Sequence, residues 1–194
     1  YGRYTDRTEA EIKEYTIDKT GPLTADDKTI TIKSGEFTTT VAIQVAGPMF
    51  EAVEATTYRV EAEKCDLSGL VNVDGASFIE NPGDVASGGQ SLGHIHNGKI
   101  TIMFSVTEEM SLSAVLKIAK YEAVKASDMI DTIVLDGQVI NFEDVQLGRV
   151  NGNDFFNFKD VKVDCGLVTK GAHEFTINLK AGPNIDCFDF TFTK

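Results

Sequence analysis

The C-terminal run Asn184-Ile185-Asp186-Cys187-Phe188-Asp189-Phe190-Thr191-Phe192-Thr193 constrains the fold more than any other part of the sequence. Phe188, Phe190 and Phe192 alternate with polar residues, which is the period of a β-strand with one buried face. A Gly182-Pro183 turn leads into it, and Asn184 and Asp186 stand at its entrance. Far upstream, Tyr58-Arg59-Val60-Glu61-Ala62-Glu63 reads as a second strand with Glu61 and Glu63 on one face. If these two strands pair, Glu61, Glu63 and Asp186 converge. Such a group of oxygen donors suits a hard cation better than it suits a catalytic dyad.

A chain of 194 residues can bury a proper core, and its 42% hydrophobic content places it among globular proteins rather than disordered ones. The formal net charge of -12 would repel phosphate backbones and anionic lipid surfaces. Nucleic acid and membrane partners are therefore not expected, and no apolar run approaches the roughly 20 residues of a spanning helix. The sequence starts mid-pattern at Tyr1, as a piece of a longer protein would. Cys65, Cys165 and Cys187 form no metal-binding spacing. Cys65 and Cys187 lie close to the two strands expected to pair, where an oxidising compartment would allow a bridge. The plainer reading is three half-buried thiols.

Alternation recurs at Thr29–Lys33, Thr38–Val45, Ile100–Val106, Val161–Val163 and Glu174–Leu179, with Gly, Asn and Asp clusters between. This is the pattern of an all-β sandwich. The stretch Ser111–Val124 fits a helical period in part, but Leu112, Ala114, Leu116 and Ile118 alternate, so it is read as a strand. A boundary is expected at Gly47-Pro48, giving a small unit over 1–47, a linker over 48–56 and a larger unit over 57–194. A unit of 47 residues is small for an independent core.

The turns and strands running from Tyr15 through Gly21-Pro22 to Phe37–Val45 resemble the second half of a bacterial immunoglobulin-like domain, a spacer in large surface proteins. The larger unit resembles the family 6 and family 35 carbohydrate-binding modules. The matching pieces occur in order: Val60–Gly69, Ala86–Gly93, Ile133–Gly137, Phe155–Val161, Gly171–Ile177 and Asn184–Asp186. The resemblance implies a jelly-roll, galactose-binding-domain-like β-sandwich with a structural Ca2+ and a non-catalytic sugar site, carried on an extracellular or cell-surface bacterial protein. Calcium takes 6–8 oxygens. Glu61, Glu63 and Asp186 supply carboxylates, and the Ser87-Gly88-Gly89 turn supplies carbonyls, with Gly88 the position that matches.

Sugars are bound by aromatic faces stacked on pyranose C–H groups, with amides and acids satisfying hydroxyls. On the resemblance, Phe155 takes the place of a frequent tryptophan and Asn184 that of a sugar-contacting asparagine, with Asn153 and Asp154 as loop neighbours. The chain contains no tryptophan, and phenylalanine stacks less strongly. His94, His96 and Tyr121 are further candidates at the cleft rim. A strand would point His94 and His96 the same way, a geometry that can bind zinc. The expected partner is a glycan, and the expected role is to hold linked catalytic or surface domains close to it, as a monomer. One alternative is an adhesive or structural spacer that keeps calcium without a working sugar site. Another is a lyase acting on an acidic sugar, for which Arg59 and Lys64 flank the glutamates. No nucleophile elbow or phosphate loop supports an enzyme.

Overall fold

The computed structural model describes residues 2–3, 9–10, 13–19, 28–43, 48–148 and 155–194. The chain divides into two compact units, 1–47 and 48–194. In the first, β1 (Gly2–Arg3) pairs with β2 (Glu9–Ala10), while β3 (Thr16–Ile17), β4 (Thr29–Ser34) and β5 (Phe37–Ala42) form an antiparallel sheet in that order. All six residues of β5 are exposed.

The second unit is a sandwich of two six-stranded sheets. Its strands are β6 (Phe50–Ala52), β7 (Thr57–Glu61), β8 (Leu70–Asn72), β9 (Ile79–Glu80), β10 (Ser91–Leu92), β11 (Ile95–Val106), β12 (Met110–Ala119), β13 (Ile130–Leu135), β14 (Gln138–Ile140), β15 (Lys159–Val168), β16 (Gly171–Leu179) and β17 (Asn184–Thr193). One sheet runs β15-β12-β17-β10-β9, with β7 also on β17. The other runs β14-β13-β16-β11-β6, with β8 also on β11. The stretch 111–124 is strand through Ala119, and its remaining residues form a bend and loop. Phe50–Ala52, read as linker from the sequence, is an edge strand parallel to residues 104–106. The Phe50 ring stacks 5.4 Å from that of Phe104, so apolar burial recruits this segment into the sheet.

The first and last strands of this unit's outer ladder pair, as their patterns require: Val60 lies opposite Phe188 and Tyr58 opposite Phe190. On the other side of β17, Leu112, Ala114 and Leu116 lie opposite Phe192, Phe190 and Phe188. The small Ala114 makes room for the ring of Phe190, as close packing demands. Phe188, Phe190 and Phe192 are at most 1% exposed, and Phe190 and Phe192 meet Phe104 from the other sheet, with Phe175 edge-on to Phe190 at 5.2 Å.

Alternation breaks once along β17. Leu116 pairs with Phe188, yet Ile118 pairs with Ile185, so β17 carries one more residue than its partner between these points. This is a β-bulge. Ile185 and Phe188 both face the core, and Asp186 and Cys187 share the place of a single outward residue.

The three cysteines are free thiols. Burial pushes each of them up to about 12, with neighbouring carboxylates adding to the effect. A disulfide-exchange reagent at pH 8 should therefore label the native chain slowly, and all three thiols rapidly once the chain is unfolded in guanidinium. Rapid native labelling would show the strand edges open. Phe190→Ala removes a fully buried ring and should cost about 3–5 kcal/mol in denaturant unfolding.

Candidate functional site

Two arrangements lie at the entrance of β17. The first is an acidic cluster on the outer side of its sheet. Cys187 lies directly opposite Glu61 across the β7–β17 ladder, and the bulge places Asp186 beside them. Ligand atoms of Glu61, Asp186 and Cys187 lie within 4.8 Å of one another. Ser87 ties the group together. Its N–H donates to Asp186 Oδ1 at 2.7 Å, and its hydroxyl donates to Glu61 Oε1 at 2.7 Å. Gly88 has φ 63°, a left-handed conformation that glycine adopts freely. A Cβ built there would sit 3.7 Å from the Glu61 carboxyl carbon, so this turn lines the same carboxylate.

Arg59 lies two residues before Glu61 on β7 and forms a bidentate pair with Asp189, 2.6 and 2.7 Å. Its third contact is to the Ser87 hydroxyl at 3.3 Å. The pairing raises the Arg59 pKa, which keeps it cationic. That cation is thus committed to Asp189. The Glu61 Oε2 and Glu63 Oε2 atoms are buried and have no hydrogen-bond partner. Burial also holds the Asp186 carboxyl above its ordinary range, against the opposing pull of the Ser87 N–H. Desolvated, incompletely satisfied carboxylate oxygens are costly as they stand, and the donor chemistry fits a calcium ion.

The sequence reading needs correction at Glu63. β7 ends at Glu61, and Ala62–Lys64 form a 3-10 turn closed by the Cys65 N–H to the Ala62 carbonyl. Strand alternation therefore does not relate Glu61 to Glu63, and the residue that joins Glu61 and Asp186 in the cluster is Cys187. A hard cation does not favour its sulfur, and the thiol instead donates to Asp186 Oδ2 at 3.5 Å.

The second arrangement is a cleft of about 400 Å3 at the loop end, lined by Phe155, Tyr121, Asn184, His94, Glu80 and Lys120 among others. Phe155 is 50% exposed and stacks on Tyr121 with ring centroids 4.6 Å apart and planes at 21°. The Asn184 amide donates to the Phe155 carbonyl at 3.2 Å, which fixes the loop to the start of β17. The floor is backbone on backbone. A Cβ at Gly182 would fall 1.5 Å from the Ile95 carbonyl oxygen, so only glycine fits. Lys120 anchors this turn by donating to the Gly182 carbonyl at 2.8 Å.

Four sequence candidates, Phe155, Asn184, Tyr121 and His94, thus share one cleft. His96 does not line it, and is exposed on β11. Nor do His94 and His96 share a strand face. His94 precedes β11 with φ 53° and points its Nε2 toward Glu80 Oε1, 3.5 Å away. The same-face arrangement that a continuous strand would give the pair is not formed. Asn153 and Asp154 lie outside the described residues. Glu80, Lys120 and Glu122 on the cleft wall give no sign in the sequence, because an acid or a lysine in a loop carries no periodic signal.

No protein-family model matches the chain, and no curated protein sequence does. Solved structures do. A family 35 carbohydrate-binding module from Clostridium thermocellum matches with a TM-score of 0.51 at 11% identity, over 70% of this chain and 98% of that one. An exo-β-1,3-galactanase from Phanerochaete chrysosporium, solved with galactose, matches with a TM-score of 0.50 at 16% identity, over 83% of this chain. The chain spans only 32% of that enzyme's length. The chain therefore has the galactose-binding-like β-sandwich fold of the family 35 carbohydrate-binding modules.

Proposed function

We propose that residues 48–194 are a non-catalytic carbohydrate-binding module with a structural calcium ion. The observation that carries this reading is the stacked pair Tyr121–Phe155 beside the Asn184 amide in an open cleft. A half-exposed ring offers a flat apolar face for pyranose C–H groups, and adjacent amide and carboxylate groups answer the hydroxyls. Calcium would be held by Glu61 and Asp186, with Glu63 and the Gly88 turn adding oxygens. The small first unit would be an immunoglobulin-like spacer. The parent protein would be extracellular, a glycoside hydrolase or adhesin, and the match to part of a longer galactanase supports an appended role. Tethering raises the effective concentration of glycan at a linked domain.

A glycan array at millimolar calcium tests the reading. Binding to at least one polysaccharide is expected, and failure on all of them with the fold intact would leave a spacer without a sugar site. Phe155→Ala should weaken that binding about tenfold or more, equivalent to about 1.4 kcal/mol, and leave the melting temperature nearly unchanged because the ring is half exposed.

Calcium at a hundredfold excess over its Kd adds about 2.7 kcal/mol to folding. For a unit of this size that is a rise of roughly 5–10 °C in melting temperature, which chelator should remove. Asp186→Asn separates the ion from ordinary packing. A carboxyl with a raised pKa holds its proton more tightly folded than unfolded. Without the ion, the folded state therefore loses stability as pH climbs from the ordinary carboxylate value through the raised one. In chelator at pH 7, Asp186→Asn should be at least as stable as the parent. In calcium the order should reverse. An unchanged order in both conditions would sink the metal assignment.

A further inference from the structure

The proposed sugar cleft also carries a charge pattern that bears on which sugars enter it. Among the described residues, three ionic side chains line it: Glu80, Glu122 and Lys120. The cation is already engaged, since its ammonium donates to the Gly182 carbonyl at 2.8 Å and lies 3.7 Å from Glu122 Oε2. Glu80 is different. Its Oε2 is buried and has no hydrogen-bond partner, and its Oε1 has only the 3.5 Å approach of His94. The carboxylate is pressed against Gly93, where a Cβ would come within 1.9 Å of Oε2, so the side chain is seated by a residue that has none. Among the described lining residues the wall thus carries two carboxylates and one lysine that is already paired.

Resting on the carbohydrate reading above, we infer that this cleft selects uncharged sugars, whose hydroxyls donate to Glu80 Oε1, and rejects uronic acids. A hydroxyl brings the proton that a partly buried carboxylate lacks. A uronate brings a second carboxylate with nothing to donate, into a partly desolvated cleft on a chain of net charge -12, where like charges repel more strongly than in water. The rejection is electrostatic, so it weakens as salt rises.

The test is an NMR titration of the full chain in millimolar calcium with the methyl glycosides of glucose, galactose and mannose, each beside its own uronate. At least one neutral glycoside should bind, and its uronate should bind about tenfold more weakly or worse at low salt. Glu80→Gln, which keeps the shape and removes the charge, should narrow that ratio to about threefold or less, and raised salt should narrow it in the parent. Thermal melts confirm that the variant is folded; if it is not, the salt series on the parent decides the question alone. A uronate that binds as well as its neutral partner, or better, overturns the selectivity and leaves the carbohydrate reading standing. Failure of every glycoside, neutral and charged, overturns both.

Discussion

One extra residue in the last strand sets the chemistry of this unit. The aromatic face of β17 can be buried only if Phe188, Phe190 and Phe192 hold one phase, and Ile185 must also point inward to meet Ile118. Strict alternation cannot satisfy both, because positions 185 and 188 have opposite parity. The bulge resolves the conflict by giving Asp186 and Cys187 one outward slot between them. Asp186 is thereby placed beside Glu61 and within reach of the Ser87 N–H. A strictly alternating strand would have turned the acid toward the core. Burying an unpaired carboxylate there costs several kcal/mol, more than a local ladder defect does.

The acids along β7, the turn after it and β17 are unequally served. Asp189 has the full bidentate grip of Arg59, whereas Glu61 and Glu63 each retain an oxygen with no donor. The hydrogen bond from Arg59 toward the cluster ends on the Ser87 hydroxyl. That hydroxyl has a single proton, and it goes to Glu61. An isolated surface ion pair contributes about 0–1 kcal/mol, too little to offset several desolvated carboxylate oxygens. A divalent cation would do so, because it replaces several missing donors at once. Cys187 is compatible with such a site because burial keeps it protonated and therefore neutral.

The strand pairing was legible in the sequence because a one-sided aromatic pattern admits one register. Clean alternation made the shorter runs Ile100–Val106 and Val161–Val163 legible in the same way. The convergence of Phe155, Tyr121, Asn184 and His94 was legible only through the resemblance, since nothing local relates residues that far apart. What stayed hidden were departures from regular geometry. The turn at Ala62–Lys64 removes Glu63 from the face of Glu61, and a left-handed His94 separates it from His96. Phe50–Ala52 read as linker because three residues are too short for a period to show, although Phe50 stacks against Phe104 and Tyr58. The bulge stayed hidden because the demand that turns Ile185 inward comes from Ile118 on the partner strand.

The two arrangements are joined through the entrance of β17, where Asn184 lines the cleft and Asp186 belongs to the acidic cluster. Between them Ile185 is 1% exposed and pairs with both Leu92 and Ile118. A side chain held on both flanks transmits position well and motion poorly. An ion at Asp186 would therefore fix where Asn184 begins, and through its amide the Phe155 carbonyl, without moving either. Such coupling acts by cutting the ordering cost of the cleft rather than by reshaping it. Its effect would fall on the ordering of the loop end rather than on the shape of the cleft. That is the division of labour expected when the metal is structural and the cleft does the binding.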